Sequence, residues 1–358
     1  MRFAILILVA TGCRHDQPEP PQRTPPPASD YCRGRNTFEV WHELGTQTGS
    51  TVRPAHTFSI VARDPVTGDL GVAVQSHWFS VGAMVTWAEP GVGAVATQSF
   101  VEPSYGPKGL ALIAGGASAP EAMAKLVAED KSAAVRQLGF VDAQGRAASH
   151  TGAKCIPFAD GHVGDGYAVQ ANLMGNSKVV PAMAAAYEST TGDLTTRMLA
   201  ALDAAQAVGG DIRGCQSAAI LIVSGKKSDA PWAEKKLDLR VEDASAPLDE
   251  LHRLVTLARA YDDMNAGDLA VEKGDLAGAE AHYTAASRAV PDSAEMKYWA
   301  AVALAGHGKV DAAIPMFRAA FAADRGWAEL TRRLPAIDLL PNTPEGRAIV
   351  ERVLHEAP

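Results

Sequence analysis

The order of elements between residues 57 and 241 constrains the fold more than any other feature of the sequence. "TFSIVARD" and "LGVAVQSHWF" are apolar runs of strand length joined by the turn signal "PVTGD", and together they read as a β-hairpin. "GVGAVATQSF" follows as a third strand, and its small residues suit a sheet packed closely on both faces. Helical patterns then cover residues 107–113 and 119–129, the second with Ser118 as N-cap. "RQLGFVDAQGRAASHTG" reads as a second hairpin turning at "DAQG", and "GYAVQANLM" as a further strand. A second helix pair, residues 179–187 and 194–207, leads into two last strands in "QSAAILIVSG" and "LDLRVED". Strands alternating with helix pairs are expected when two sheets stack and helices cover each outer face. The expected class is α+β, a four-layer αββα sandwich over residues 55–245.

Beyond residue 246 the texture changes to alanine-rich helix. Aligned to itself at an offset of 34 residues, this segment pairs Gly274 with Gly308, Leu276 with Val310, Ala279 with Ala313, Tyr283 with Phe317 and Ala286 with Ala320. That is the tetratricopeptide period, with small residues where the helices of a hairpin touch and an aromatic anchor in the second helix. Between one and a half and two units fit residues 246–340, with residues 249–267 as a leading helix and 341–358 as a tail. So short an array must lean on the first domain to bury its exposed face.

The chain before residue 55 has the features of an export leader. Arg2 precedes an apolar run from Phe3 to Ala10 that is too short to span a bilayer, the pattern of a signal peptide over residues 1–12. Ala10-Thr11-Gly12-Cys13 resembles a bacterial lipobox, in which Cys13 is acylated and becomes the mature N-terminus. An ordinary signal peptide with an incidental cysteine is the other reading. Residues 13–54 form a tether, kept extended by Pro18, Pro20, Pro21, Pro25, Pro26 and Pro27. The expected place is the bacterial cell envelope, as a membrane-anchored lipoprotein facing the periplasm. With Cys13 acylated, Cys32, Cys155 and Cys215 remain, enough for one disulfide and one free thiol in an oxidising compartment.

Charge and motif content exclude several classes. The formal net charge of -8 comes from interspersed acids with no basic cluster, so the footprint of a nucleic-acid binder is missing. No CxxC or HxxxH spacing occurs, so no zinc and no other cofactor is expected. The absence of GxSxG, GxxxxGK[ST] and GxGxxG disfavours an α/β-hydrolase, a P-loop NTPase and a nicotinamide enzyme.

Six groups of residues could carry chemistry. Thr57 opens the first strand, and its hydroxyl is a nucleophile if the chain is cut before it. Gln75, Ser76 and His77 end the first hairpin. Glu102, Ser104 and Tyr105 sit in "VEPSYGPKG", whose composition suits a rigid loop lining a cleft and equally any tight loop. Ser149 to Gly152, "SHTG", reads as a structural turn. Gln170 and Asn172 are two apart on a strand and share a face, where they either line a substrate site or satisfy one another. Asp211, Arg213, Gln216 and Ser217 crowd between glycines before a buried strand, a costly arrangement unless they pair with each other or with a ligand.

"HTFSIVARDPVTGDLGVAVQSHWFSVGA", "GVGAVATQSFVEPSYGPKGL", "RQLGFVDAQGRAASHTGAKC", "GDGYAVQANLM" and "GGDIRGCQSAA", in this order, resemble the bacterial domain of unknown function 1028 family, assigned to the N-terminal-nucleophile (Ntn) hydrolase superfamily. The resemblance covers residues 55–241. It implies the same αββα layers and a mechanism in which the residue opening the first strand attacks an amide carbonyl while its own α-amine takes the proton. Such an amine titrates near ~8, far closer to neutrality than a lysine side chain. Similar cytoplasmic proteins begin Met-Thr-(Phe/Tyr)-Ser; here His56 and a leader precede Thr57, so cleavage at His56–Thr57 is required. Where such proteins commonly carry Lys, this chain has His77, mostly uncharged at neutral pH by its reference pKa of about 6.5.

Two functions follow as expectations. In the first, the protein is an exported Ntn-type amidohydrolase with Thr57 as nucleophile and Asp211, Arg213 and Ser217 orienting the terminus. His77 and Gln75 stand beside it, Gln170 and Asn172 line the pocket of a small amide or peptide, and Arg213 suits a substrate carboxylate. Glu102 and Tyr105 belong to the binding loop. In the second, it is a non-catalytic lipoprotein whose helical repeats bind a protein or peptide partner.

Overall fold

The computed structural model describes residues 57–337 and 339–357. The signal sequence, Cys13, the proline-rich tether, Cys32 and His56 lie outside them.

Two antiparallel sheets form the first domain. β1 (Thr57–Arg63), β2 (Leu70–Ser76), β7 (Asp160–Gly164), β8 (Tyr167–Ala171), β9 (Ser217–Val223) and β10 (Lys235–Val241) make a six-stranded sheet in the order β10-β9-β2-β1-β8-β7. β3 (Thr86–Glu89), β4 (Gly93–Ser99), β5 (Arg136–Asp142) and β6 (Ala147–Thr151) make the second, in sequential order. β1, β2, β4, β5, β8 and β9 carry their apolar residues on both faces because each sheet is covered twice.

The covers are assigned by alternation along the strands. Val61, Val72, Val74, Ala94, Ala96, Val141 and Leu221 meet between the sheets. Phe58, Ile60, Ala73, Val169, Ile220 and Ile222 point the other way, under α4 (Val179–Ser189) and α5 (Leu194–Ala207). On the far side, Val95, Leu138 and Phe140 pack under α2 (Tyr105–Ala114) and α3 (Ala119–Glu129). The four αββα layers expected from the sequence are therefore present. Ser118 caps α3 as expected, in a capping box with Glu121: the Glu121 N–H donates to the Ser118 hydroxyl and the Ser118 N–H donates to the Glu121 carboxylate. Three short elements were not read from the sequence: β3, the edge strand β7, and α1 (Val81–Val85), which follows the β2 loop.

α6 (Pro247–Glu272) joins the two parts of the molecule. Leu248, Leu251 and Val255 near its start belong to the core under the six-stranded sheet, while Ala260, Met264 and Val271 pack on the next helices. The leading helix read over residues 249–267 is thus one helix of 26 residues, spanning about 39 Å at 1.5 Å per residue. α7 (Leu276–Ala289), α8 (Ala294–Gly306), α9 (Val310–Ala323) and α10 (Gly326–Arg333) follow. Every pairing at the 34-residue offset falls at an equivalent place. Gly274 and Gly308 follow helix ends in the left-handed conformation, at φ 75° and 77°, and Ala279, Ala313, Tyr283, Phe317, Ala286 and Ala320 are all buried. The expected C-terminal tail is instead helix α11 (Pro344–Glu356), capped by Thr343 and buried through Val350 and Val353. Its apolar positions recur at helical spacing, which gives the segment a face to bury.

Candidate functional site

Thr57 opens β1 at the centre of the six-stranded sheet and is fully buried. Strand alternation puts its side chain with Ser59 and Val61 on the face toward the second sheet. In the register Thr57 stands opposite Ser76, and Ser76 opposite Ser217, so three hydroxyl residues form a row across β1, β2 and β9. The Thr57 hydroxyl donates to Ser76 Oγ at 3.2 Å. The same alternation sends Gln75 to the opposite face, with Phe58 and Ala73 under the helices. Gln75, expected beside Thr57, is therefore not beside it: the period of two in a strand separates them. Gln75 is fully buried there, and neither atom of its amide has a hydrogen-bond partner.

A network of buried amides continues from the hydroxyl row. The Thr57 carbonyl accepts from the Asn172 backbone N–H at 3.1 Å and from Gln98 Nε2 at 3.2 Å. Gln137 Oε1 accepts from both Gln98 Nε2 at 2.7 Å and Asn172 Nδ2 at 2.8 Å, and Gln137 Nε2 donates to the Ala171 carbonyl at 2.8 Å. Ser59 donates to Gln98 Oε1 at 2.6 Å and accepts from Gln170 Nε2 at 2.5 Å. Gln170 and Asn172 do share a face, and they are tied into the contact between the sheets. Ser59, Gln98 and Gln137 were not singled out in the sequence. Their signal there is a polar residue inside each of three apolar strand runs.

The loop before β9 braces this end of the sheet. Arg213 donates to the Asp211 carboxylate through Nε at 2.9 Å and through a terminal nitrogen at 2.5 Å, and both side chains are buried. Asp211 also accepts the His77 backbone N–H at 3.3 Å, which ties the end of β2 to this loop. The guanidinium expected to meet a substrate carboxylate is thus bonded within the protein. Ser217 donates to the Trp78 carbonyl and accepts the Val81 N–H at 3.1 Å, so it fixes the loop from His77 to α1. His77 is half-buried, with Nδ1 buried and without a hydrogen bond. Gln216 lies at the rim, its amide on Asp243 at 3.1 Å.

Among the described residues three non-glycine residues have positive φ at this same end: Ser80 and Leu173, which follow β2 and β8, and Ser99, the last residue of β4. Each such conformation costs about 1–3 kcal/mol, and such residues cluster where surrounding structure is built to hold them.

Glu102, Ser104 and Tyr105 are elsewhere. They line a cavity of about 450 Å³ with Lys108, Leu126, Glu129 and Asp130, on the α2–α3 side of the second sheet. Tyr105 donates to Asp130 at 3.1 Å, and burial together with that carboxylate pushes the phenol far above its ordinary range. Burial acts to raise Asp130, but hydrogen bonds from Arg136, the Ser132 N–H and Tyr105 outweigh it and hold the carboxyl below its usual value. Among the described residues no group of three or more His, Cys, Asp or Glu side chains could hold a metal ion.

The profile of a family of unknown function, DUF1028, matches residues 57–251, and the chain belongs to that family. A tetratricopeptide repeat profile matches residues 264–326. A crystal structure of a DUF1028 protein from Silicibacter pomeroyi is similar, at 27% identity with a TM-score of 0.51, covering 56% of this chain and 88% of that one. No curated protein matches the chain.

Proposed function

We propose that the protein is an exported amidohydrolase of the Ntn type, acting on a small amide or peptide. The observation that carries this reading is the position of Thr57: first residue of a central strand, between the sheets of an αββα sandwich, with its hydroxyl on Ser76. Ser76 offers a hydroxyl oxygen, a poor base at neutral pH, so activation falls to the α-amine that Thr57 carries once it is a chain terminus. The amine would take the hydroxyl proton as oxygen attacks the amide carbon, and return it to the departing amine; water then hydrolyses the ester. Asp211, Arg213 and Ser217 position the loops around the terminus. Export, with acylation at Cys13, belongs to the same proposal, and the apolar run before Cys13 is what supports it; Cys13→Ser should move the protein from the membrane fraction to the soluble one.

The decisive experiment compares the wild type with Thr57→Ala and Thr57→Ser, reading the mature N-terminus by mass and hydrolysis across an amide panel. The amidohydrolase reading expects a chain starting at Thr57, no turnover in Thr57→Ala and partial turnover in Thr57→Ser. A wild-type chain that keeps its leader intact and hydrolyses nothing rejects it. The complete burial of Thr57 and the repeat profile favour a second reading in that event, a binding platform that uses the helical repeats to hold a protein or peptide.

A further inference from the structure

A cavity of about 360 Å³ opens where β3, an edge of the four-stranded sheet, meets helix α2 and the connection from β9 to β10. Val223, the last residue of β9, lines it, six residues along that strand from Ser217 in the hydroxyl row. At about 3.4 Å per residue the cavity is on the order of 20 Å from that row, so it is no part of the site at Thr57.

Two tryptophans set its character. Trp87, on β3, is held in place: its indole N–H donates to the Met84 carbonyl at 3.1 Å, and Gly106 of α2 packs so closely that a Cβ there would overlap the indole ring. Trp232 comes from the six-stranded sheet, in the 3-10 turn Pro231–Ala233 before β10, and is 76% exposed. Apart from Glu89 and Lys235, the other lining residues are prolines, alanines, one leucine and one valine.

The charges decide which ligand such walls would take. Lys235 already holds Asp238 at 3.0 Å, whereas the Glu89 carboxylate has no hydrogen bond or ion pair among the described residues. An anion would find the one lining cation taken, and a neutral apolar ligand would cover Glu89 and leave it without a counter-charge. A cation supplies that charge. A primary ammonium brings three N–H donors, and Glu89 is the one acceptor side chain in the lining. A quaternary ammonium has no N–H to satisfy, and its charge is spread over methyl groups that suit both indole faces and apolar walls.

We infer that this cavity binds a quaternary ammonium group, held by cation–π contact with Trp87 and Trp232 and by the charge of Glu89. A choline-type head group has this chemistry, either as a free solute or on a lipid. The site is independent of Thr57 and of any amide hydrolysis there.

The test titrates the full chain with choline and with its uncharged carbon isostere, in which a tert-butyl group replaces the trimethylammonium. Binding is followed through the indole N–H signals in NMR, the Trp232 signal being the one lost in Trp232→Ala. Choline should shift the Trp232 signal saturably, and the isostere should bind at least about tenfold more weakly. Trp232→Ala and Glu89→Gln should each weaken choline binding by about tenfold with circular dichroism unchanged, while Lys235→Ala should not weaken it. Cosedimentation with phosphatidylcholine vesicles that falls in Trp232→Ala assigns the group to a lipid; choline binding without it assigns the group to a solute. Equal affinity for the isostere, full affinity in Glu89→Gln, or no saturable response to choline overturns the inference. None of these readouts involves amide turnover, so an inactive protein leaves the result interpretable.

Discussion

The two parts of the molecule are held together by different chemistry. Among the described residues every buried polar or charged side chain but one lies in the sandwich; the exception, Thr331, belongs to the helical region. The repeats close on alanines against Tyr283 and Phe317, and their cores need little more than small residues where helices approach. The sandwich instead buries glutamines, serines and an ion pair between and beside its sheets. Buried polar groups demand specific partners where an apolar contact accepts many. The sandwich is thus the part built to a defined polar arrangement, and its strictest portion surrounds Thr57.

The largest expected effect tests that claim at the ion pair. Asp211→Asn leaves the Arg213 guanidinium buried without its counter-charge, and the sandwich should lose about 3–5 kcal/mol. Chemical denaturation followed separately in the two parts should show the loss in the sandwich transition. A loss below about 1 kcal/mol would put this pair in the class of solvated surface bridges and end its role as a brace.

Two glutamines sharpen the comparison from within the sandwich. Gln137→Met removes the acceptor that Gln98 and Asn172 share and should destabilise by about 2–4 kcal/mol, because two buried donors lose a partner. Gln75→Met, equally buried but without a hydrogen bond to lose, should be neutral or stabilise by about 1 kcal/mol. Equal thermal shifts in the two variants would mean that the network between the sheets has no special weight.

That contrast also marks how far the sequence can be read. The layers were legible because strand runs and helix pairs have different periods, and the repeats because five matched positions share one offset. The faces at the site were harder. Gln75 and Ser76 are neighbours in sequence, and which of them stands beside Thr57 depends on the β1–β2 register, with Arg63 opposite Leu70 across a six-residue turn. A slip of one residue exchanges the two sides, and no pattern in a doubly buried strand records it. Gln170 and Asn172 were legible as a pair on one face; the Asn172 amide meets Gln137 of the other sheet and the Gln170 carbonyl accepts from Gln98 of that sheet, and sequence gives no sign of such contacts. β7 escaped notice because it is an exposed edge strand of "DGHVG", short and glycine-rich.

The repeats admit a smaller test of their own regularity. Gly308 and Gly274 hold the same left-handed turn, and a Cβ at either meets nothing within 4 Å. Alanine at each should cost about 1 kcal/mol from backbone strain alone. Matched losses at the two sites make the units equivalent; unmatched ones would show that the helices flanking them carry different loads.

The smallest effect lies where the two parts meet. His252 on α6 contacts Asp203 on α5 at 2.9 Å, and the hydrogen bond to that carboxylate, partly opposed by burial, raises the imidazole above its ordinary pKa. A folded pKa above the unfolded one places the stabilisation at low pH: it is complete below about 6.5 and disappears as pH rises through the folded value. Both side chains are nearly half exposed, so solvent screening limits the contribution to a few tenths of a kcal/mol. Asp203→Asn should therefore destabilise slightly at about pH 5.5 and not at about pH 9, with the difference shrinking in high salt. A pH-independent loss would assign the contact to packing between α5 and α6, and the junction would then resemble the repeats more than the sandwich it leans on.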